Sequence, residues 1–246
     1  LANPAHRAEV AALWGLASVP EKPGKTAVEM FQAAADGEIK ALWIACTNPA
    51  QSMPDQATVR RALQRAEFVV VQEAFATAAT CDFADLLLPE ATDLESLQMI
   101  KVGGTKFVEQ FWTARGVVLR QPAVEPQGEA RDFTWISTEL ARRTGLLEPY
   151  NKAINRGAGG VSPLAGEGYD FSLDPTHTHD VDTIWDAICR AASTDLSQGQ
   201  ETHDLAWFKE HGFYTVPMPQ RSWYLTPTLA EKGLRYHRIC AAARDR

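Results

Sequence analysis

Along the first half of the chain the hydrophobic pattern switches between two periods. Residues 8–16 carry apolar side chains at helical spacing, and residues 25–31 begin a second short helix that ends near Asp36-Gly37. The run Ala41-Leu42-Trp43-Ile44-Ala45-Cys46 is short and continuously apolar, the pattern of a fully buried strand. Residues 55–67 return to a helical period through Val59, Leu63 and Ala66. Phe68-Val69-Val70-Val71 is a second apolar run, and Ala84-Asp85-Leu86-Leu87-Leu88 a third, stopped by Pro89. Apolar strands separated by helices predict a parallel sheet covered on both faces. The fold class is therefore α/β, a Rossmann-like parallel sheet with flanking helices.

The pattern then changes. Residues 105–124 alternate more strictly and predict a hairpin around Ala114-Arg115-Gly116. Residues 128–144 read as a helix ending at Gly145. Asn155-Arg156-Gly157-Ala158-Gly159-Gly160 opens a Pro/Gly-rich loop or linker that runs to about Pro175. Helical patterns follow at residues 180–192 and 203–211, and an irregular, aromatic-rich tail begins at Pro217-Met218-Pro219. The chain thus divides into an α/β domain over residues 1–145 and a smaller helical, loop-rich extension over residues 146–246.

Composition narrows the classes. The 246 residues, 45% apolar and 22% charged with seven Trp, suit a globular chain and exclude a collagen-like, coiled-coil or disordered one. Twenty-four basic against 31 acidic side chains leave a net charge of -7, unsuited to a nucleic-acid partner. No apolar run reaches the length of a membrane span. Cys46, Cys81, Cys189 and Cys240 are scattered without a C-x-x-C pair, which excludes a zinc ribbon or iron–sulfur site built from these residues. They read as buried thiols of a reducing compartment, so the expected location is cytoplasmic. The opening Leu1-Ala2-Asn3-Pro4 has neither initiator Met nor leader pattern, and the expectation is an internal piece of a longer polypeptide.

Ligands of open parallel sheets bind beyond the carboxyl ends of the strands. The first strand runs into Thr47-Asn48-Pro49-Ala50-Gln51-Ser52-Met53-Pro54-Asp55. There Ser52-x-x-Asp55 has the form of a capping box, and its helix start would favour a phosphate; equally, it is a cap and a turn without a ligand. Asn48 brings an amide to the strand tip. The second strand ends in Gln72-Glu73, where a carboxylate is placed to accept a ribose hydroxyl or simply to be solvated. Thr77, Thr80 and Asp82 follow in a small-residue loop. No G-x-G-x-x-G is present.

Other signals are weaker. Glu90, Asp93 and Glu95 cluster after the third strand, suited to acid–base chemistry or to capping. His177-Thr178-His179-Asp180 offers metal-ligand types, although Asp180 also reads as a helix cap. No nucleophile elbow or H-E-x-x-H occurs. The residues contain no self-contained catalytic constellation.

Taken together, Gly37-Glu38-Ile39-Lys40-Ala41-Leu42-Trp43-Ile44, Thr47-Asn48-Pro49-Ala50-Gln51-Ser52, Phe68-Val69-Val70-Val71-Gln72-Glu73-Ala74-Phe75, Ala84-Asp85-Leu86-Leu87-Leu88-Pro89 and Gly128-Glu129-Ala130-Arg131-Asp132 resemble the molybdopterin oxidoreductases. These form the dimethyl-sulfoxide-reductase superfamily, with its formate dehydrogenases and nitrate reductases. Residues 1–90 are most similar to the assimilatory nitrate reductase branch. Glu90-Ala91-Thr92-Asp93-Leu94-Glu95-Ser96-Leu97 is similar instead to the polysulfide and thiosulfate reductase-like branch, and residues 93–240 to phenylacetyl-CoA-oxidising enzymes.

The resemblance implies a fragment of a catalytic subunit that holds molybdenum or tungsten between two molybdopterin guanine dinucleotides. Asn48 matches a cofactor-contacting position, Gln72 and Glu73 the guanosine end, and Asp132 a further contact. Ser52 belongs to the first of these loops, and Thr80 matches a family Thr in pattern. The family's cofactor-contacting Lys has Lys101 and Lys106 as candidates. A 4Fe-4S cluster, the metal ligand and a closing barrel would lie outside these residues. The implied partners are a small-molecule substrate, the remaining domains of the subunit and an electron-transferring iron–sulfur subunit. A non-catalytic nucleotide-binding or interaction module that kept the motifs is the alternative.

Overall fold

A computed structural model of the chain describes residues 3–76, 78–102 and 114–217. It is a mixed α/β protein with two compact units, Leu1–Pro89 and Glu90–Arg246. No helix among the described residues is long and apolar enough to cross a membrane.

The first unit opens with helix α1 (Pro4–Leu13), whose N-cap Asn3 accepts the Ala5 N–H and whose first residue is Pro, which has no N–H to lose. Helix α2 (Ala27–Asp36) begins at a reciprocal capping box between Thr26 and Glu29 and stops at Gly37, whose φ of 86° suits glycine. Three parallel strands follow in the order β1 (Ala41–Ala45), β2 (Phe68–Glu73) and β3 (Leu86–Pro89). Between β1 and β2 lie a short helix α3 (Pro49–Ser52) and helix α4 (Gln56–Arg65). The third strand starts later than its apolar run predicts because the Asp85 carboxylate takes the Val69 N–H at 2.7 Å, filling the place of a strand partner.

Register sets the two faces of this sheet. Leu42 pairs with Val69 and Ile44 with Val71, and all four are buried against Ala34 and Ala35 of α2 and Val59, Ala62 and Leu63 of α4. Each such branched side chain contributes about 1.5–3 kcal/mol on leaving water. The opposite face carries Trp43, Phe68 and Leu86, which remain 49%, 46% and 44% exposed. The apolar runs predict helices on both faces, and among the described elements of this unit α2 and α4 pack on one. Both helices that pack on the strands lie on the Leu42–Val69 side.

The second unit holds an antiparallel sheet ordered β4 (Gln98–Val102), β5 (Ala114–Arg120) and β8 (Phe213–Pro217). Helices α5 (Phe133–Arg143) and α6 (Leu147–Asn155) precede a two-residue pair of strands, β6 (Ala165–Gly166) and β7 (Tyr169–Asp170). Helices α7 (Val181–Leu196) and α8 (Leu205–His211) complete it. The core joins Val117 and Leu119 of β5 to Ile184, Ile188 and Cys189 of α7 and Phe208 of α8.

Two sequence expectations change here. Gly116 does not turn a hairpin but sits inside β5, opposite Val102 on one side and Thr215 on the other. A Cβ at this glycine would collide with the Tyr214 carbonyl oxygen, so close backbone approach explains the residue. The connection from β4 to β5 lies outside the described residues. The predicted linker contains β6 and β7, and α6 precedes it where no element was predicted. One reason is that α6 buries a polar residue, Asn151, whose amide donates to the carbonyls of His177 at 2.8 Å and Pro175 at 3.1 Å. The aromatic tail beyond Pro217 lies outside the described residues.

Candidate cofactor-binding site

Strands β1 and β2 are neighbours, so their carboxyl ends stand side by side. Beyond β1 the chain leaves through Cys46, with φ of 51°, into Thr47 and Asn48. Asn48 is half-buried. Its Oδ1 accepts hydrogen bonds from the Thr80 N–H at 3.1 Å and from the Thr80 hydroxyl at 2.7 Å. Its Nδ2 donates to Gln51 Oε1 at 3.0 Å. The Thr80 oxygen in turn accepts the Ala50 N–H at 3.1 Å. Thr80 itself is wholly buried.

Ser52 is not a helix cap. Its hydroxyl donates back to the Asn48 carbonyl at 2.9 Å, closing α3. Helix α4 is capped instead by Asp55, which accepts the Thr58 N–H and is held below the usual carboxylate range by its hydrogen bonds to Thr58. A carboxylate therefore stands at the helix start where the sequence pattern favours a phosphate, and a second anion there is opposed by charge. Helix α3 offers little more: Pro49 has no N–H, and that of Ala50 is spent on Thr80.

Gln72 and Glu73 point to opposite faces of β2, as neighbours on a strand must. Gln72 is 1% exposed, and its carbonyl accepts the Cys46 N–H, tying the ends of β1 and β2 together. Glu73 is half-buried. Its Oε1 accepts the N–H groups of Ala74 and Phe75, while its Oε2 accepts no hydrogen bond among the described residues. Burial and the charges of Glu73 and Asp82 push the nearby Cys81 thiol up. Thr77 lies outside the described residues.

Sequence reasoning missed Gln56 and Arg60. Gln56 donates to the carbonyls of Pro49 and Met53, and Arg60 donates to that of Ala50, bracing the loop beyond β1. A Gln directly after a capping Asp was the available signal.

In the second unit Asp132 caps α5 by accepting the Thr134 N–H at 2.7 Å, beside Arg131, whose guanidinium lies 5.7 Å from the Trp135 ring centre. Lys101 is exposed on β4, and Lys106 lies outside the described residues. Two members of the acidic cluster make structural contacts. Glu95 accepts from the N–H and hydroxyl of Thr92 and from the Gln127 N–H, and Asp93 pairs with Arg120. His177 pairs with Asp174, and Asp180 caps α7. Among the described residues no three His, Cys, Asp or Glu side chains converge to hold a metal.

The family model for molybdopterin oxidoreductases matches residues 2–143. The chain belongs to the molybdopterin oxidoreductase family. Among its relatives a nitrate reductase of Symbiobacterium thermophilum is 38% identical over 180 residues, 69% of this chain and 22% of the relative. The periplasmic nitrate reductase of Desulfovibrio desulfuricans is 35% identical over 147 residues, 58% of this chain and 18% of that protein. Formate dehydrogenase H of Escherichia coli is 31% identical over 149 residues, 61% and 19% of the two chains. The chain spans about a fifth of the length of the curated relatives it matches. Acetylene hydratase from Pelobacter acetylenicus shares the fold, with a TM-score of 0.51 at 19% identity over 85% of this chain and 26% of that one.

Family membership implies a molybdopterin cofactor with molybdenum. The polar groups at the strand ends fit such a group. Glu73 is an acceptor held in place by two successive amides through one oxygen, the other accepting nothing among the described residues, and Asn48 is an amide whose Nδ2 donates to the exposed Gln51. Molybdopterin and its nucleotide form carry N–H and O–H donors suited to the first and carbonyl and phosphoryl oxygens suited to the second.

Proposed function

We propose that this chain is part of the catalytic subunit of a molybdenum or tungsten oxidoreductase, and that its first unit, read as Rossmann-like, forms one wall of a bis-molybdopterin guanine dinucleotide site. The observation that carries this reading is the pair of Asn48 and Glu73 at adjacent strand ends, one presenting an N–H donor and the other a fixed carboxylate oxygen. Glu73 would accept from guanosine N–H or O–H groups, and Asn48 would donate to an oxygen of the cofactor. Ser52 and Thr80 hold Asn48, and Gln72 holds the end of β2 beside β1. Asp132, in the second unit, is assigned a further contact.

When bound, the metal and its pterins supply oxygen-atom or hydride transfer to a small-molecule substrate. The chain's own residues bind and orient. A 4Fe-4S cluster and an iron–sulfur partner subunit belong to the same proposal and are assigned outside these residues. The proposed location is cytoplasmic, in keeping with Cys81 and Cys189, which form no disulfide among the described residues.

Calorimetric titration of the 246-residue chain with guanosine diphosphate tests the reading. The expected result is saturable binding, weakened about tenfold or more by Glu73→Ala and not matched by cytidine diphosphate. Equal affinity of the wild type and the Glu73→Ala variant would overturn the assignment of this wall.

A further inference from the structure

Thr80, like Gln72, is closed off from anything outside the protein, but its bonds converge on another candidate residue. It is 0% exposed, yet its N–H and hydroxyl both end on one side-chain atom, Oδ1 of Asn48, across 32 positions of sequence. A carboxamide oxygen has two acceptor sites, and these bonds fill both. The backbone N–H of Thr80 can only donate, so the atom facing it must be the Asn48 oxygen. A flipped amide would oppose donor to donor and leave a buried N–H without a partner, which costs about 1–3 kcal/mol. The hydroxyl is fixed in the same way, since it receives the Ala50 N–H and its own hydrogen must go to Asn48.

We propose that Thr80 is a positioning residue: it locks the Asn48 carboxamide with oxygen inward and nitrogen toward the strand-end loop, so that Asn48 reads its ligand only as a donor. The ligand group that suits it is then an acceptor, a phosphoryl or carbonyl oxygen, and not a ring N–H. This rests on the reading that the strand-end loops hold the cofactor. Of the two Nδ2 hydrogens, one is engaged by Gln51, an exposed side chain that a ligand can displace, and the other has no partner among the described residues. Recognition of the acceptor and of the donor is thereby divided between strand ends: Asn48 beyond β1 gives hydrogens, and Glu73 beyond β2 takes them. A ligand bound in the reverse orientation would meet two mismatches.

The test uses the isotopically labelled 246-residue chain without ligand, followed by guanosine diphosphate as probe. In the wild type the Asn48 side-chain N–H2 pair is expected to be rigid by nuclear relaxation. It should become mobile in Thr80→Val, which keeps the shape but loses the hydroxyl, and be rigid again in Thr80→Ser. Equal mobility of this pair in all three proteins would overturn the lock, whatever the nucleotide does. Guanosine diphosphate affinity is expected to fall about tenfold in Thr80→Val and to return in Thr80→Ser. A rigid, Thr80-dependent amide in a chain that binds no guanosine diphosphate would leave the lock standing and defeat the cofactor reading instead. Should Thr80→Val fail to fold, Asn48→Asp decides the lock: two donors from Thr80 must hold the introduced carboxyl below its usual titration range. Ordinary titration there would overturn it.

Discussion

The side chain of Asn155 pairs with the backbone of Leu173 as a neighbouring strand would: Nδ2 donates to the Leu173 carbonyl and Oδ1 accepts the Leu173 N–H, each at 2.9 Å. Leu173 is 5% exposed and part of the second unit's core, so this amide fixes a buried segment that has no ladder of its own. Asn155→Ala should destabilise the chain by about 1–3 kcal/mol, because two backbone groups lose their partner. Asn155→Asp keeps the acceptor but sets a carboxylate against a carbonyl, and it should cost at least as much. Urea midpoints of the three proteins check both statements.

Gly116 should tolerate no side chain. A Cβ at this position meets backbone atoms of Tyr214 and Thr215 on the neighbouring strand, which cannot rotate away. Gly116→Ala is expected to cost about 1–3 kcal/mol and to act by separating β5 from β8. Hydrogen exchange resolves this, since the amides of β8 should lose protection before those of α7.

Thiol chemistry should separate the cysteines sharply. Cys189 is buried in α7, and burial pushes its thiol up to about 12, so the reactive thiolate is scarce at neutral pH. Cys46 is exposed. Iodoacetamide at neutral pH should leave Cys189 unmodified until urea unfolds the chain, as peptide mapping of the labelled sites would show.

The acid side of the stability profile should carry the mark of Glu139. Hydrogen bonds from Arg142 and Arg143 hold its carboxyl down from 4.5 to about 2. A depressed carboxyl stabilises the fold above its unfolded value, and that stabilisation disappears as pH falls from 4.5 toward 2. The effect is small because the arginine partners are solvent-exposed. Glu139→Gln should flatten this part of the curve and leave the neutral plateau near the wild type, as acid titration followed by circular dichroism would show.

The first unit's elements were legible because their causes are local. Apolar runs marked β1 and β2, and the Thr26–Glu29 box and Gly37 lie within a turn of the helix ends they define. Gly116 misled because a glycine inside a strand and a glycine in a turn look alike until the opposing strand is known. Ser52 and Asp55 are both capping residues, and only the early closure of α3 decides which one caps α4. The places of Asn48 and Glu73 beyond the ends of β1 and β2 were readable from the apolar runs that stop before them. The bonds from Thr80 to Asn48 were not, since they join two loops 32 positions apart, and the burial of Gln72 depends on packing that strand alternation alone does not give.

The half-covered sheet of the first unit has a consequence for substitution. Along β1 and β2 the cost of replacing an apolar residue by Ser should rise and fall with every step. It should be high at Leu42, Ile44, Val69 and Val71 and low at Trp43 and Phe68, where the side chain already meets water. Deep mutational scanning of these strands would therefore trace a sawtooth in this chain, and any body that came to cover the bare face would flatten it.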